Sequence, residues 1–298
     1  MRKISVLLVI LSLLLCGAIF GAEGDVLWTR THNGPASWID EGRGIAVDAS
    51  GNVYVTGWES VTGELDNIWV RKYNSDGNEV WTRTHDGTDH GEDCGYGIAV
   101  DGSGNVYVTG YEEVTEESLN IWVRKYDSDG NEVWTQTYNG PDNDDDYGFG
   151  IAVDGSGNVY LAGSEFVTEE LLNIWVRKYN SDGNEVWTQT YNGTYNGNDY
   201  GFGITVDGSG NVYVIGLEWV SGESNNIWVR KYDSDGDEVW TQTYNGAADE
   251  SDEGWGIAVD GSGNVYVTGC ESDAGLWKIW VGKYDSEGTK VWTQTYNQ

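Results

Sequence analysis

The sequence predicts an all-β protein: a β-propeller of five four-stranded blades with one surplus strand at the N-terminal end. Three observations carry this expectation. The stretch G-I-A-V-D-G-S-G-N-V-Y from Gly97 to Tyr107 recurs with small changes from Gly44, Gly150, Gly203 and Gly256, and its Asp falls at Asp48, Asp101, Asp154, Asp207 and Asp260, a spacing of 53 residues each time. Each unit holds four short apolar or alternating runs separated by turn residues, and no segment has a helical period. The residues available for a core are strand formers, 16 Trp and 19 Tyr against 4 Phe, 1 Met and 2 Pro. Units that cannot bury their own apolar faces must stack on one another, so one domain over 25–298 is expected rather than two.

Residues 1–22 precede the repeats with a basic start (Arg2, Lys3), an apolar run from Ile4 to Leu15 and small residues after it, the layout of a secretory signal peptide. Ala18 and Gly21 are both suitable residues to precede a cut. Cys16 stands where a lipoprotein cysteine would, but Leu15 is bulkier than the residue such a signal carries there. The protein is thus expected to be secreted or displayed at the cell surface, with membrane attachment only if the leader is left uncleaved. Beyond the leader only Cys94 and Cys270 remain, at non-equivalent places in the repeat; export permits a bridge between them and nothing in the spacing requires one.

The first repeated element is D-V-L-W-T-R-T-H, Asp25 to His32, the counterpart of the segment that ends every later unit, as in Val80 to His85 and Val291 to Tyr296. This segment therefore occurs six times and every other element five times, which makes the first copy the surplus strand. In the second unit Gly97 to Val100 and Asn105 to Thr109 form a hairpin through Asp101-Gly102-Ser103-Gly104, because Asp and Gly supply the local hydrogen bonds and backbone angles of a tight turn. A loop from Gly110 to Leu119 leads to a third run, Asn120 to Tyr126. The turn Asp127-Ser128-Asp129-Gly130-Asn131 then reverses the chain into the fourth, Val133 to Tyr138. Apolar residues on both faces of these runs suit blades packed between neighbours.

With G-I-A-V-D, G-N-V-Y-V-T-G, the K-Y-D-x-x-G turn and the W-T strand in place, the units resemble the SBBP-type β-propeller repeats of bacteria and archaea, from Asp25 to the end of the chain. That resemblance implies an exported propeller and no particular activity, since the family is defined by its scaffold. The family name refers to seven blades and this chain has five, which puts closure of the ring in question although five can close one. The surplus strand around Trp28 either replaces the last strand around Trp292 in a ring clasp, lies as an extra edge or pairs with another molecule.

The formal charge of −33, from 49 acidic and 16 basic side chains, repels polyanions and argues against nucleic acid as a partner. If the first run of each unit is innermost, the two tight turns lie on one face of the disc and the other connections on the opposite face. The tight turns are nearly constant and the other connections vary, which places recognition on the variable face, with a protein or a glycan as ligand. There each unit carries Asp-x-Gly-x-Gly, and the residue between the two glycines is Arg43, Tyr96, Phe149, Phe202 or Trp255. These five side chains either form a collar at the channel mouth, able to stack on a sugar or peptide, or fill gaps between blades. The first Asp of the motif (Asp40, Asp93, Asp146, Asp199, Asp252) and a Glu after the second strand (Glu59, Glu112, Glu165, Glu218, Glu271) are candidate ligands for a hard cation such as calcium; the alternative is structural hydrogen bonding, including to the arginines of the third strand. No other cofactor is expected. The D-S-D-G-N turns lack the full twelve-residue calcium loop and read as hairpins.

No zinc spacing, nucleophile elbow or phosphate loop is present. Near-identical units also give their carboxylates near-identical environments, whereas acid–base catalysis needs different ones. The expected function is a non-catalytic binding or protein-interaction module, the alternatives being a multivalent lectin, a carboxylate-dependent glycosidase and a structural cell-envelope component.

Overall fold

The computed structural model describes residues 26–36, 38–63 and 65–296, so the leader lies outside the described residues. Five antiparallel sheets account for the repeats. Blade 1 holds β1 (Glu41–Val47), β2 (Val53–Ser60), β3 (Asp66–Tyr73) and β4 (Glu79–His85). Blade 2 holds β5 (Cys94–Val100), β6 (Val106–Val114), β7 (Ser118–Tyr126) and β8 (Glu132–Tyr138), and blade 3 holds β9 (Tyr147–Val153), β10 (Val159–Val167), β11 (Leu171–Tyr179) and β12 (Glu185–Tyr191). In blade 4 come β13 (Tyr200–Val206), β14 (Val212–Val220), β15 (Ser224–Tyr232) and β16 (Glu238–Tyr244), and in blade 5 β17 (Asp252–Val259), β18 (Val265–Asp273), β19 (Leu276–Tyr284) and β20 (Lys290–Tyr296). Each sheet is ordered as its strands follow in sequence, and the first strands of successive blades lie beside one another, β1 to β5 to β9 to β13 to β17, which makes them the innermost.

The turns after the first strand form as expected. Asp101 accepts the backbone N–H of Ser103 and of Asn105, both at 2.9 Å, and the Tyr107 hydroxyl at 3.0 Å. The second and third strands are longer than the sequence suggests. The ten-residue loop expected at 110–119 is a three-residue turn, because β6 and β7 stay paired from Val106↔Tyr126 out to Val114↔Ser118. The long variable connections are therefore those between blades.

Successive blades join through one repeated junction. The fourth-strand Trp lies flat on the glycine of the next blade's outer turn: a Cβ on Gly130 would stand 2.8 Å from Trp81, and Gly130 has a φ of 81°, so only glycine serves. The indole donates to the Ser128 carbonyl at 3.2 Å, and Lys72 donates to the same oxygen at 3.1 Å. Beneath these contacts Tyr54, Ile68, Val70 and Trp81 of blade 1 pack on Ile98, Val106, Val108, Trp122 and Tyr126 of blade 2. The pattern repeats at the three later junctions.

Among the described residues the ring does not close. The first glycine of each inner-strand pair abuts the preceding blade, as Gly95 abuts Thr56 and Ile68, whereas a Cβ on Gly42 would meet only Val55 of its own sheet. The second glycine abuts the following blade, as Gly203 abuts Trp255 and Ile257, whereas Gly256 would meet only Thr268 of its own sheet. The surplus segment also differs from expectation: residues 26–32 pair with no strand among the described residues. Their side chains nonetheless dock as a fourth strand does, with Trp28 on Gly77 and donating to the Ser75 carbonyl at 3.3 Å. Cys94 and Cys270 are free thiols.

An open ring makes equivalent residues unequal. Ile174 is fully buried while its counterpart Ile279 is 60% exposed. In urea unfolding at low protein concentration, Ile174→Ala should cost about 2–5 kcal/mol and Ile279→Ala less than about 0.5 kcal/mol. Equal costs at the two sites would mean that the ring is closed in solution.

Candidate functional site

The Asp-x-Gly-x-Gly motif builds the site through a β-bulge. Gly42 pairs with Gly57 and Gly44 with Thr56, so Arg43 is an extra residue with no partner, and Tyr96, Phe149, Phe202 and Trp255 are extra in the same way. The bulge presses the inner strand against the second: a Cβ on Gly110 would stand 1.8 Å from the Cys94 carbonyl oxygen, so that position admits glycine alone. The same bulge recurs on each of the five adjacent inner strands, which is how one motif brings five side chains into a row.

They form a continuous line. The Arg43 guanidinium lies 4.9 Å from the Trp58 ring and 5.5 Å from Tyr96. Tyr96 meets Phe149 edge-on at 5.4 Å, Phe149 meets Phe202 at 5.3 Å, and Phe202 stacks on Trp255 at 4.4 Å and 20°. Tyr96, Phe149 and Phe202 are half-buried, and Trp255, at the open end, is 50% exposed. The rings thus pack on one another from blade to blade and stay partly exposed.

The ten candidate carboxylates take a different place. Each motif Asp clamps two backbone N–H groups, one from the preceding inter-blade loop and one from its own second strand. Asp199 accepts from Gly193 at 2.6 Å and Trp219 at 2.8 Å, and Asp40 from Gly34 at 2.6 Å and Ser60 at 3.1 Å. Asp93 accepts from Gly87 and Glu113, Asp146 from Gly140 and Phe166, and Asp252 from Gly246 and Ser272. Each Glu binds the last ring of the preceding fourth strand: Glu59 to His32 at 2.6 Å, Glu112 to His85 at 2.9 Å, Glu165 to Tyr138 at 2.5 Å, and Glu218 and Glu271 to Tyr191 and Tyr244 at 2.6 Å. The third-strand arginines lie by the fourth strand of their own blade, as Arg71 by Glu79 at 3.4 Å, instead of meeting these Asp. Among the described residues no group of three or more His, Cys, Asp or Glu is placed to hold a metal ion.

Two residues that the repeat conceals complete the site. Trp219 follows the conserved-in-repeat Glu218 at a position that is Ser60, Glu113, Phe166 or Ser272 in other units, and Tyr195 lies in the loop between blades 3 and 4. The two rings meet edge-on at 6.4 Å beside a groove of about 460 Å³, lined also by Asn196, Asn198, Tyr200, Asn225 and Leu171. Gly197 lets them approach, since a Cβ there would stand 2.5 Å from Trp219. Tyr200 stacks on Phe202 at 5.5 Å and so joins this groove to the axial line of rings.

The beta-propeller repeat family SBBP matches residues 34–58, 87–111, 133–164, 186–217 and 240–269. The chain carries five SBBP beta-propeller repeats. No curated protein matches it in sequence. Among solved structures it is similar to an ulvan lyase bound to a sugar ligand, at 9% identity over 85% of this chain and 70% of that one with a TM-score of 0.53. It is also similar to the β-propeller domain of the trilobed protease from Pyrococcus furiosus, at 9% identity over 86% and 70% with a TM-score of 0.50. A eukaryotic initiation factor matches at 8% identity and a TM-score of 0.44, and the SBBP chain spans 54% of it. At these identities the likeness shows the fold alone.

The clamped aspartates give the repeats a pH signature. Burial pushes the Asp93, Asp199 and Asp252 carboxyls up to about 6 and Asp146 up to about 7, against the backbone N–H groups that pull the other way. An acid raised in the folded state takes up its proton more readily there, so its contribution is full below the unfolded value of about 4 and is lost as pH rises through 6–7. The turn aspartates have the opposite sign. Burial raises Asp101 and Asp154, but hydrogen bonds from Asn105 and Asn158 outweigh it and hold both below the ordinary value, so their contribution is lost as pH falls below about 4. In about 0.5 M salt, which screens the surface charge, the melting temperature should rise by several degrees from pH 8 to pH 5 and fall again below about pH 4. Asp146→Asn should shrink the rise; a flat profile from pH 8 to pH 5 would remove the four clamps as its source.

Proposed function

We propose that this SBBP-repeat protein is an exported binding module without catalytic activity, and that its variable face takes a saccharide. One observation carries the reading: the groove beside Trp219 and Tyr195 is walled by aromatic rings and asparagine side chains and lies continuous with the axial rings from Phe202 to Trp255. Ring faces suit the apolar C–H faces of a sugar, and amides suit its hydroxyls as both donors and acceptors. No carboxylate lines the groove. The carboxylates adjacent in sequence to its lining, Glu170, Asp199 and Glu218, already accept hydrogen bonds from the frame, which supports binding over acid–base chemistry. The formal charge of −33 favours neutral glycans over anionic ones. Export rests on the leader at 1–22, and calcium is not needed for the ligand contacts envisaged.

A glycan array with the purified protein tests the reading. Neutral oligosaccharides should bind, and Trp219→Ala should weaken binding by about 10-fold or more with an unchanged melting temperature. The fluorescence of Trp219 and Trp255 should also change on titration with a bound sugar. An array without hits, or hits that Trp219→Ala leaves intact, would overturn the saccharide assignment. Turnover of any bound glycan would overturn the non-catalytic one.

A further inference from the structure

The two ends of the blade array expose opposite halves of one interface. On the trailing side, Tyr54, Tyr107, Tyr160 and Tyr213 are fully buried by the following blade, whereas Tyr266 of blade 5 is 36% exposed. Ile279 is 60% exposed where Ile68, Ile121, Ile174 and Ile227 are at most 1%. Trp292 is 38% exposed where Trp81, Trp187 and Trp240 are 7–9%. On the leading side, Ile45 of blade 1 is 41% exposed where Ile98 of blade 2 is 8%.

We propose that blade 5 of one copy docks on blade 1 of a second copy, head to tail, and that β20 takes the slot which residues 26–32 fill in the isolated chain. The occupant follows from the chain itself. It makes this interface four times between its own blades, with the same residue types, so the surface complementary to blade 5 is another leading face, and blade 1 presents one. Tyr266 and Ile279 would cover Ile45, and Gly42 would receive the contact that Gly95 receives from Thr56 and Ile68.

Residues 26–32 act as a placeholder. Trp28 occupies the position of Trp292 against blade 1, with its indole on Gly77 and the Ser75 carbonyl, and His32 occupies the position of Tyr296 against Glu59. The exchange favours β20. It holds six residue pairs with β19, from Ile279↔Tyr296 to Tyr284↔Lys290, whereas 26–32 has no ladder and is fixed by its side chains. Lys283 would also bring to Ser75 the second donor that Lys72 brings to Ser128. Because the two faces differ, the contact is heterologous and propagates unless a small number of copies closes on itself.

Sedimentation velocity of the full chain from about 1 to about 200 µM tests this by mass action. The average mass should rise with concentration. In Trp28→Ala/His32→Ala, whose placeholder is loosened, association should begin at concentrations about 10-fold lower. Ile279→Arg blocks the trailing face and Gly42→Trp the leading face; each alone should stay monomeric, and a mixture of the two should form a dimer and nothing larger, since each keeps one working face. Ile45→Arg serves in place of Gly42→Trp if circular dichroism shows the tryptophan variant misfolded. Wild type and the loosened variant both monomeric throughout would overturn the proposal. So would association that survives both blocking variants, or blocked chains that do not pair when mixed.

Discussion

The structure depends on the seating of a fourth-strand tryptophan against the glycine of the next blade's outer turn. The ring needs a neighbour without a Cβ, at 2.6–2.8 Å from where that atom would be in Gly130, Gly183, Gly236 and Gly288, and its Nε1 needs the serine carbonyl beside it. A sheet of four short strands with apolar residues on both faces is not stable alone, so each blade is completed by the one that follows. Burial of tyrosine, isoleucine and tryptophan beneath this seat supplies the bulk of the apolar contact, and the Tyr/His to Glu pairs fix the angle at the outer rim. Stability of this kind is a sum over junctions. The last blade lacks one, and the exposed face of blade 5 follows from it.

The same constraint separates frame from site. One set of recurring aspartates and glutamates holds inter-blade loops and fourth strands in place, and the raised carboxyls of Asp93, Asp146, Asp199 and Asp252 come from being closed off from water. Side chains at the bulge are held by the same backbone geometry but contact one another and solvent. Position is thus repeated while identity is free: Arg43, Tyr96, Phe149, Phe202 and Trp255 occupy one backbone geometry and offer different chemistry.

Blade number, strand count and strand order were legible in the sequence because a 53-residue period repeats the turn chemistry of Asp101-Gly102-Ser103-Gly104 and its copies. That Arg43, Tyr96, Phe149, Phe202 and Trp255 share one backbone position was legible too, since glycine on both sides marks a place where backbone packs closely. What the motif did not disclose was that the glycines encode a bulge, because pairing of Gly42 with Gly57 and Gly44 with Thr56 is a property of two strands together. The length of the second hairpin was misread since Glu112, Glu113 and Asn120 look like loop residues one at a time and pair only across strands. Trp219 and Tyr195 escaped notice because they belong to no repeat; the signal was the variability of the position after each rim Glu. The open ring was not readable, as six copies of the fourth-strand segment fit either a clasp or a free end.

A near-symmetric scaffold places its function where the symmetry fails, because five equal environments give five equal and weak sites. Here the symmetry fails in three places. Blade 1 puts a guanidinium in the collar, blades 3 and 4 put Trp219 and Tyr195 at the rim, and blade 5 leaves its face bare. The first two lie on the variable side, and the third lies at the end of the array. A ligand on the variable side and a second copy at the end therefore need not compete, and assembly would multiply the number of grooves without altering any one of them. If the proposed groove binds its ligand weakly, such assembly is the route by which an open ring gains avidity that a closed one of five blades would lack.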